Sequence, residues 1–187
     1  VSAGSTITSA VLTLTHSSPN ITPRSGTVNL HKTLKHWGEG ISVALGGGGG
    51  GAASATNDAT WIHTFFNTSF WASAGGDFSN MVSGSTFVNG NGTYTWSSTQ
   101  TVTDVQSWLD SPSDNFGWLI KQTAEGGTAI RFNSEQNANI ATRPQLTIGF
   151  APPVADLKLF KTDAPDPVVE ANALAYTLTV TNCGPGD

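Results

Sequence analysis

Short runs in which apolar and polar residues alternate recur along this chain. Each is cut off by Gly, Pro, Asn or Ser, and that rhythm confines the chain to strands joined by turns. The clearest runs are Thr6–Thr15, Gly26–Thr33, Gly92–Trp96, Gly117–Gln122, Thr128–Asn133 and Gln145–Phe150. In the last, Leu146, Ile148 and Phe150 alternate with polar neighbours, which predicts one buried face. In the first, Ile7, Val11, Leu12 and Leu14 alternate imperfectly, which predicts a bulge or a change of register.

One helical segment interrupts the strands. Val102, Val105, Trp108 and Leu109 share a helical face. Thr101 or Thr103 is the expected cap, and Ser111-Pro112 the expected stop. Charged residues make up only 11% of the chain, against roughly 25% in ordinary soluble domains. Ser, Thr, Asn and Gly take the polar positions, a poor composition for helices and a good one for strands and turns. Six Trp and nine Phe supply core material, which argues against disorder. The expected fold is an all-β, jelly-roll-like sandwich with one short helix.

Two segments fall outside the strand rhythm. Asn57–Asp77 carries Trp61, Phe65, Phe66, Phe70 and Trp71 at neither helical nor strand spacing. It reads as a long ordered loop packed by its own aromatics. Gly46–Gly51 is an unbroken run of glycines, a flexible linker unless the fold holds it, because ordering Gly costs the most backbone entropy.

The expected organisation is a sandwich over residues 1–150, a Pro-rich linker at 151–154 and a separate β segment over 155–187. That last segment offers two strand-like runs, Leu157–Phe160 and Leu174–Thr181. Two strands are not a stable domain in water. They are expected to be completed by further chain or by a neighbour, because a free strand edge accepts another strand readily. Leu157, Leu159, Phe160, Leu174, Tyr176, Leu178 and Val180 are the candidate strand-donation residues.

The formal net charge of -5 and the eight dispersed Lys and Arg residues exclude a nucleic-acid surface. No apolar run approaches the roughly 20 residues of a membrane-spanning helix. Cys183 is the only cysteine, so no intrachain disulfide forms.

An ordered set of motifs then carries a resemblance. AGSTITSAVLTL, HKTLKHWGEGIS, NDATWIHTFFNTSFWASAGGDFS, TVTDVQSWLDSPSDNFGWLIKQ and RFNSEQNANIATRPQLTIGF follow one another through residues 2–150. Together they resemble a DNRLRE-type domain, a secreted prokaryotic β-sandwich. Members of that family usually carry further strands before the first motif, so unpaired sheet edges are expected here. ADLKLFKTDAPDPV and LAYTLTVTNCGPGD resemble the first half of a bacterial immunoglobulin-like surface repeat (domain of unknown function eleven). The resemblance implies an extracellular, cell-surface setting, with tandem domains or a homo-polymer as partners. Some DNRLRE relatives are similar to alginate-binding modules, which implies a polysaccharide ligand.

Chemistry is sparsely encoded. No HExxH, GxSxG or P-loop pattern occurs. His16, His31, His36 and His63 lack metal-ligand spacing and read as structural, with a shared face open to His16 and His31. Glu39, with Asp58 or Asp77, is the one carboxylate pair a glycosidase reading would need. Hydrogen bonding of Glu39 to a Gly-rich turn explains it better, and the chain is read as no enzyme. Calcium is a candidate cofactor, with Asp58, Asp77, Asp104, Asp110 and Asp114 in or beside loops but without EF-hand spacing. Trp96 is ambiguous, while Trp108 and Trp118 read as core. Trp37, Trp61 and Trp71 lie in loops, where they pack the loop, form an interface or make a sugar platform. Lys121, Arg131 and Arg143 either tie loops together or bind an acidic polysaccharide. Two function classes follow: a structural or adhesive module held by strand pairing between subunits, or a carbohydrate-binding module.

Overall fold

The computed structural model describes residues 1–17, 25–43, 51–124, 129–167 and 169–184. The glycines at 46–50 and the start of the expected strand at Thr128 lie outside the described residues. The chain divides into two compact units, one of Ile7–Gly149 and one of Val1–Thr6 with Phe150–Asp187. In chain order the elements are β1 (Thr6–His16), β2 (Ser25–Thr33), β3 (His63–Phe65), β4 (Ser69–Phe70), β5 (Phe78–Asn89), β6 (Gly92–Ser97), α1 (Thr99–Asp110), β7 (Trp118–Gln122), β8 (Gln145–Ala151), β9 (Leu157–Ala164) and β10 (Ala175–Asn182).

The larger unit is an all-β sandwich. One sheet has the order β6-β1-β8 and the other β5-β2-β7. Leu14 of β1 and Trp96 of β6 pack against Val28 and Leu30 of β2 and Val88 of β5, so both sheets contribute to one core. The Trp96 side chain is fully buried and its Nε1 donates to the Val28 carbonyl at 2.7 Å. That bond satisfies the one polar atom of the largest core residue. The ambiguity of Trp96 is thereby resolved in favour of the core.

Strand β1 changes phase as its sequence predicts. Burial falls on Ile7, then on Ala10, Leu14 and His16, so the inward positions switch from odd to even. Its second half, Val11–His16, pairs in continuous antiparallel register with β6. Its first half packs Ile7 and Ala10 under Val105 and Trp108 of α1.

Helix α1 is longer than its apolar spacing suggests, and Ser98 is the cap. Ser98 Oγ accepts from the Gln100 and Thr101 amides, while Thr101 Oγ1 accepts from the Ser98 amide at 2.9 Å. This is a reciprocal capping box built on Thr instead of Glu. Ser111 ends the helix and Pro112 follows. The same helix serves β1: Gln106 Oε1 accepts from the Ile7 amide at 2.8 Å, and Thr101 Oγ1 donates to the Ala10 carbonyl at 3.1 Å. Side chains of α1 thus satisfy main-chain groups of β1 beyond the point where β6 ends. A helix covers this stretch of the β1 edge.

Two sequence expectations are corrected, and one strand lies outside the expected runs. Strand β5 spans twelve residues; Ser83, Gly84 and Val88 are buried while Met81 and Phe87 are exposed, so large apolar residues do not mark its inward face. A Cβ on Gly84 would meet Trp96 Cβ at 3.3 Å, so the bulk of Trp96 fills the space that a large β5 side chain would take. The run ending at Asn133 forms only a bridge, His16 with Phe132, flanked by bonds from the Ser17 amide to the Arg131 carbonyl and from the Asn133 amide to the Thr15 carbonyl. In β8, Ile148 alone packs on the core, while Leu146 and Phe150 are exposed. β8 is an edge strand, and the α1 cluster reaches only its middle.

The smaller unit holds β9 and β10, paired antiparallel from Ala175↔Ala164 to Asn182↔Leu157. Every residue of both strands is exposed. The register puts Leu157, Leu159, Tyr176, Leu178 and Val180 on one face and Phe160 on the other, with Thr177, Thr179 and Thr181. Leu174 is half-buried just before β10.

Candidate functional site

The HWGEG and NDATWIHTFF motifs are clasped together. The Gly38 amide donates to the Thr64 carbonyl at 3.0 Å, and the Ala59 amide donates to the Gly38 carbonyl at 2.8 Å. A Cβ at Gly38 would overlap the Asn57 carbonyl and the Phe65 ring, so only Gly fits there. Asp58 anchors the clasp from below. Its buried carboxylate accepts from the Ile41 amide at 3.0 Å, the Ser42 amide at 3.3 Å and the Ala55 amide at 2.6 Å, and from the Ser42 hydroxyl. The Ser42 hydroxyl bond, followed by the Ala55 amide, holds the Asp58 carboxyl below its ordinary value.

Residues 57–77 are more ordered than a plain loop, because β3 and β4 pair within them. Trp71 Nε1 donates to the Thr60 carbonyl at 2.9 Å. The Trp71 amide donates to the Ile62 carbonyl at 3.1 Å, and the Gly75 amide to the Trp61 carbonyl at 2.7 Å. The loop aromatics do pack on each other: His63 lies against Phe66 and Phe70, at ring centroid distances of 5.2 and 4.5 Å. Asp77 closes the far end, accepting from the Ala72 and Ser73 amides and lying 3.8 Å from Lys35 Nζ.

This framework brings the loop tryptophans together. Trp37, Trp61 and Trp71 line one cleft of about 340 Å³, with Thr33, Thr60, Trp118 and Leu119 among its other walls. Trp61 is 70% exposed and Trp37 39%. Trp37 Nε1 donates to the Phe116 carbonyl at 2.8 Å. With the Trp71 bond, two of the three indole N–H groups are spent on backbone, which fixes the rings and leaves their faces to a ligand. Sequence reasoning named these three residues. It missed Trp118, which reaches both the core and the cleft. Trp118 stacks edge-on with Trp108 at 4.6 Å, and its Nε1 donates to Asp104 Oδ2 at 2.8 Å. No pattern in the sequence reports that dual position.

A second hollow of about 370 Å³ shares Trp61, Gly75 and Leu119 with the first and adds Phe78 and Lys121. A third, of about 330 Å³, shares Ala74 and Phe78 with the second and reaches Asp77. Lys121 Nζ lies over the Phe78 ring at 5.3 Å.

The three basic candidates are not gathered. Arg131 Nε donates to the Ser17 carbonyl at 2.8 Å, and Arg143 Nε to the Asn137 carbonyl at 2.8 Å. Both tie backbone away from the tryptophan cleft. The carboxylates are dispersed too. Glu39 accepts from Gln136 at 3.5 Å, and Asp104 is buried on α1 between Gln100 and Trp118. Among the described residues no three of His, Cys, Asp and Glu come close enough together to hold a metal ion. His16 and His31 do not share a face: His16 packs against Phe132 in the core, and His31 against Phe78, with its Nδ1 2.9 Å from the Ser79 carbonyl. Among the described residues no helix is long and apolar enough to cross a membrane.

Comparison of the chain with protein-family models, curated proteins and solved structures finds no match.

Proposed function

We propose that this chain is a non-catalytic extracellular module whose task is to join, as part of a cell-surface or filamentous assembly held by β-strand pairing between subunits. The observation that carries this reading is the β9–β10 ribbon. Both strands are exposed along their whole length, with five large apolar side chains on one face. A two-stranded ribbon is marginal in water, and its free edges and apolar row are what a strand or sheet from a neighbour would cover. The likeness of residues 155–187 to an immunoglobulin-like surface repeat supports the same setting. The test is to compare the chain with a deletion of residues 155–187 by sedimentation and electron microscopy. Assembly of the chain and loss of assembly on deletion are expected. Assembly that survives the deletion, or no assembly across a wide concentration range, rejects strand pairing.

A second reading, a carbohydrate-binding module, is favoured by the convergence of Trp37, Trp61 and Trp71 on one cleft. Exposed indole faces stack on the C–H faces of sugar rings. Titration with soluble polysaccharides, followed by calorimetry and tryptophan fluorescence, tests it; no heat and no spectral change would reject it.

A further inference from the structure

We infer that the tryptophan cleft takes a neutral, chain-shaped glycan rather than an acidic one. The inference rests on the carbohydrate-binding reading and narrows it to a ligand class. Its first support is the charge of the walls. Among the described residues, no ionisable side chain lines the cleft. An anionic sugar entering it would lose water without gaining a counter-charge, which is costly in a partly desolvated site. Arg131 and Arg143, the described arginines, are engaged with the carbonyls of Ser17 and Asn137. Lys121 lines the next hollow and lies over Phe78, and Lys35 is paired with Asp77 at the third, so both cations lie outside the tryptophan cleft itself.

Its second support is shape and preorganisation. The cleft continues past Trp61 into the second hollow, and from there past Phe78 into the third. A groove of linked hollows fits a linear oligomer better than a single ring. The Trp37 and Trp71 rings are fixed by indole hydrogen bonds to backbone, so little ordering entropy is lost when a ligand stacks on them. The polar side chains among the described walls are the hydroxyls of Thr33 and Thr60, and Thr60 Oγ1 is already taken up by the Ile62 and His63 amides, so the indole faces carry most of the contact with an uncharged sugar. A few polar groups among apolar walls is the usual make-up of a ligand site.

The experiment uses the whole chain and two panels of probes. The neutral panel is cellohexaose, mannohexaose and xylohexaose, with their dimers. The acidic panel is hexamers of alginate and polygalacturonate. Calorimetry and tryptophan fluorescence are read at low and at high salt. The expected result is binding of a neutral hexamer, tighter than its dimer and indifferent to salt. Trp61→Ala then weakens it by roughly tenfold or more, and Trp61→Phe recovers part of the loss. Trp61 is exposed, so an unchanged melting curve confirms that the variant folds. Salt-sensitive binding of the acidic panel alone overturns the neutral assignment and leaves the carbohydrate reading standing. Neutral binding that ignores Trp61→Ala overturns the placement in this cleft. Binding of neither panel overturns both.

Discussion

Gly75 lies directly beneath the indole of Trp61: a Cβ built on Gly75 would come within 2.8 Å of Trp61 Cη2. The same glycine has φ of +95° and its neighbour Gly76 has +115°. A Cβ on Gly76 would in turn meet Leu119 Cδ1 at 2.9 Å. The Gly-Gly pair is thin enough to pass between the cleft tryptophan and Leu119 of strand β7, and Trp61 lines the same cleft as Trp37 and Trp71.

Gly75→Ala meets both the contact and the backbone strain. We expect a loss of about 1–3 kcal/mol, read by chemical denaturation, together with a changed tryptophan emission as the Trp61 ring is displaced. An emission spectrum identical to wild type would show that the ring does not depend on Gly75.

Asp58 makes the clasp sensitive to acid. Its pKa is lowered from 3.8 in the folded state, first by the Ser42 hydroxyl and next by the Ala55 amide. A carboxyl with a depressed folded-state pKa stabilises fully above its unfolded value, and that contribution fades as pH falls through the folded value. Melting temperature is therefore expected to drop below about pH 4, and Asp58→Asn to flatten that drop while lowering stability at neutral pH. A variant whose acid profile parallels wild type would remove Asp58 from this role.

His16 is a buried imidazole with neither ring nitrogen hydrogen-bonded among the described residues. It packs edge-on against Phe132 at 6.1 Å. An unpaired buried polar group costs about 1–3 kcal/mol by protein mutational measures. His16→Leu, close in volume and without that cost, is expected to raise the denaturation midpoint. A fall in stability would mean that the ring contact outweighs the unpaired nitrogens.

Thr101 Oγ1 has three partners: it accepts from the Ser98 amide and shares its one proton between the Ser98 carbonyl at 2.7 Å and the Ala10 carbonyl at 3.1 Å. Thr101→Val keeps the shape and removes all three, so a loss of about 1–3 kcal/mol is expected. Gln106→Leu frees the Ile7 amide, which should then exchange its hydrogen faster while amides of the β1–β6 ladder keep their protection. Unchanged exchange at Ile7 would contradict the role given to Gln106.

The strands whose large side chains meet other large side chains could be read from the sequence. β1, β2 and β6 alternate because Leu14, Leu30 and Trp96 each face the opposite sheet, and the phase change in β1 was visible as well. β5 was illegible because small residues, Ser83 and Gly84, are buried there, the latter against Trp96, while the large Met81 and Phe87 are exposed, which inverts the usual alternation. The helix was recognised by Val105 and Trp108. Its start was not, because Ser98 finds its partner in Thr101 rather than in the usual acidic residue. At the cleft, the identities of Trp37, Trp61 and Trp71 were readable from their place in loops. Their convergence was not, because it depends on tertiary contacts: Asp58 gathering Ile41, Ser42 and Ala55, and the Gly75-Gly76 pair threading under Trp61. The basic set failed for a related reason, since nothing local to Arg131 or Arg143 reports which carbonyl each will meet.

Helix α1 sits where an outside strand would have to dock on the first half of β1. Because Thr101 and Gln106 already occupy Ala10 and Ile7, that stretch of backbone is closed to an added strand, and a helix does there the work of a missing neighbour.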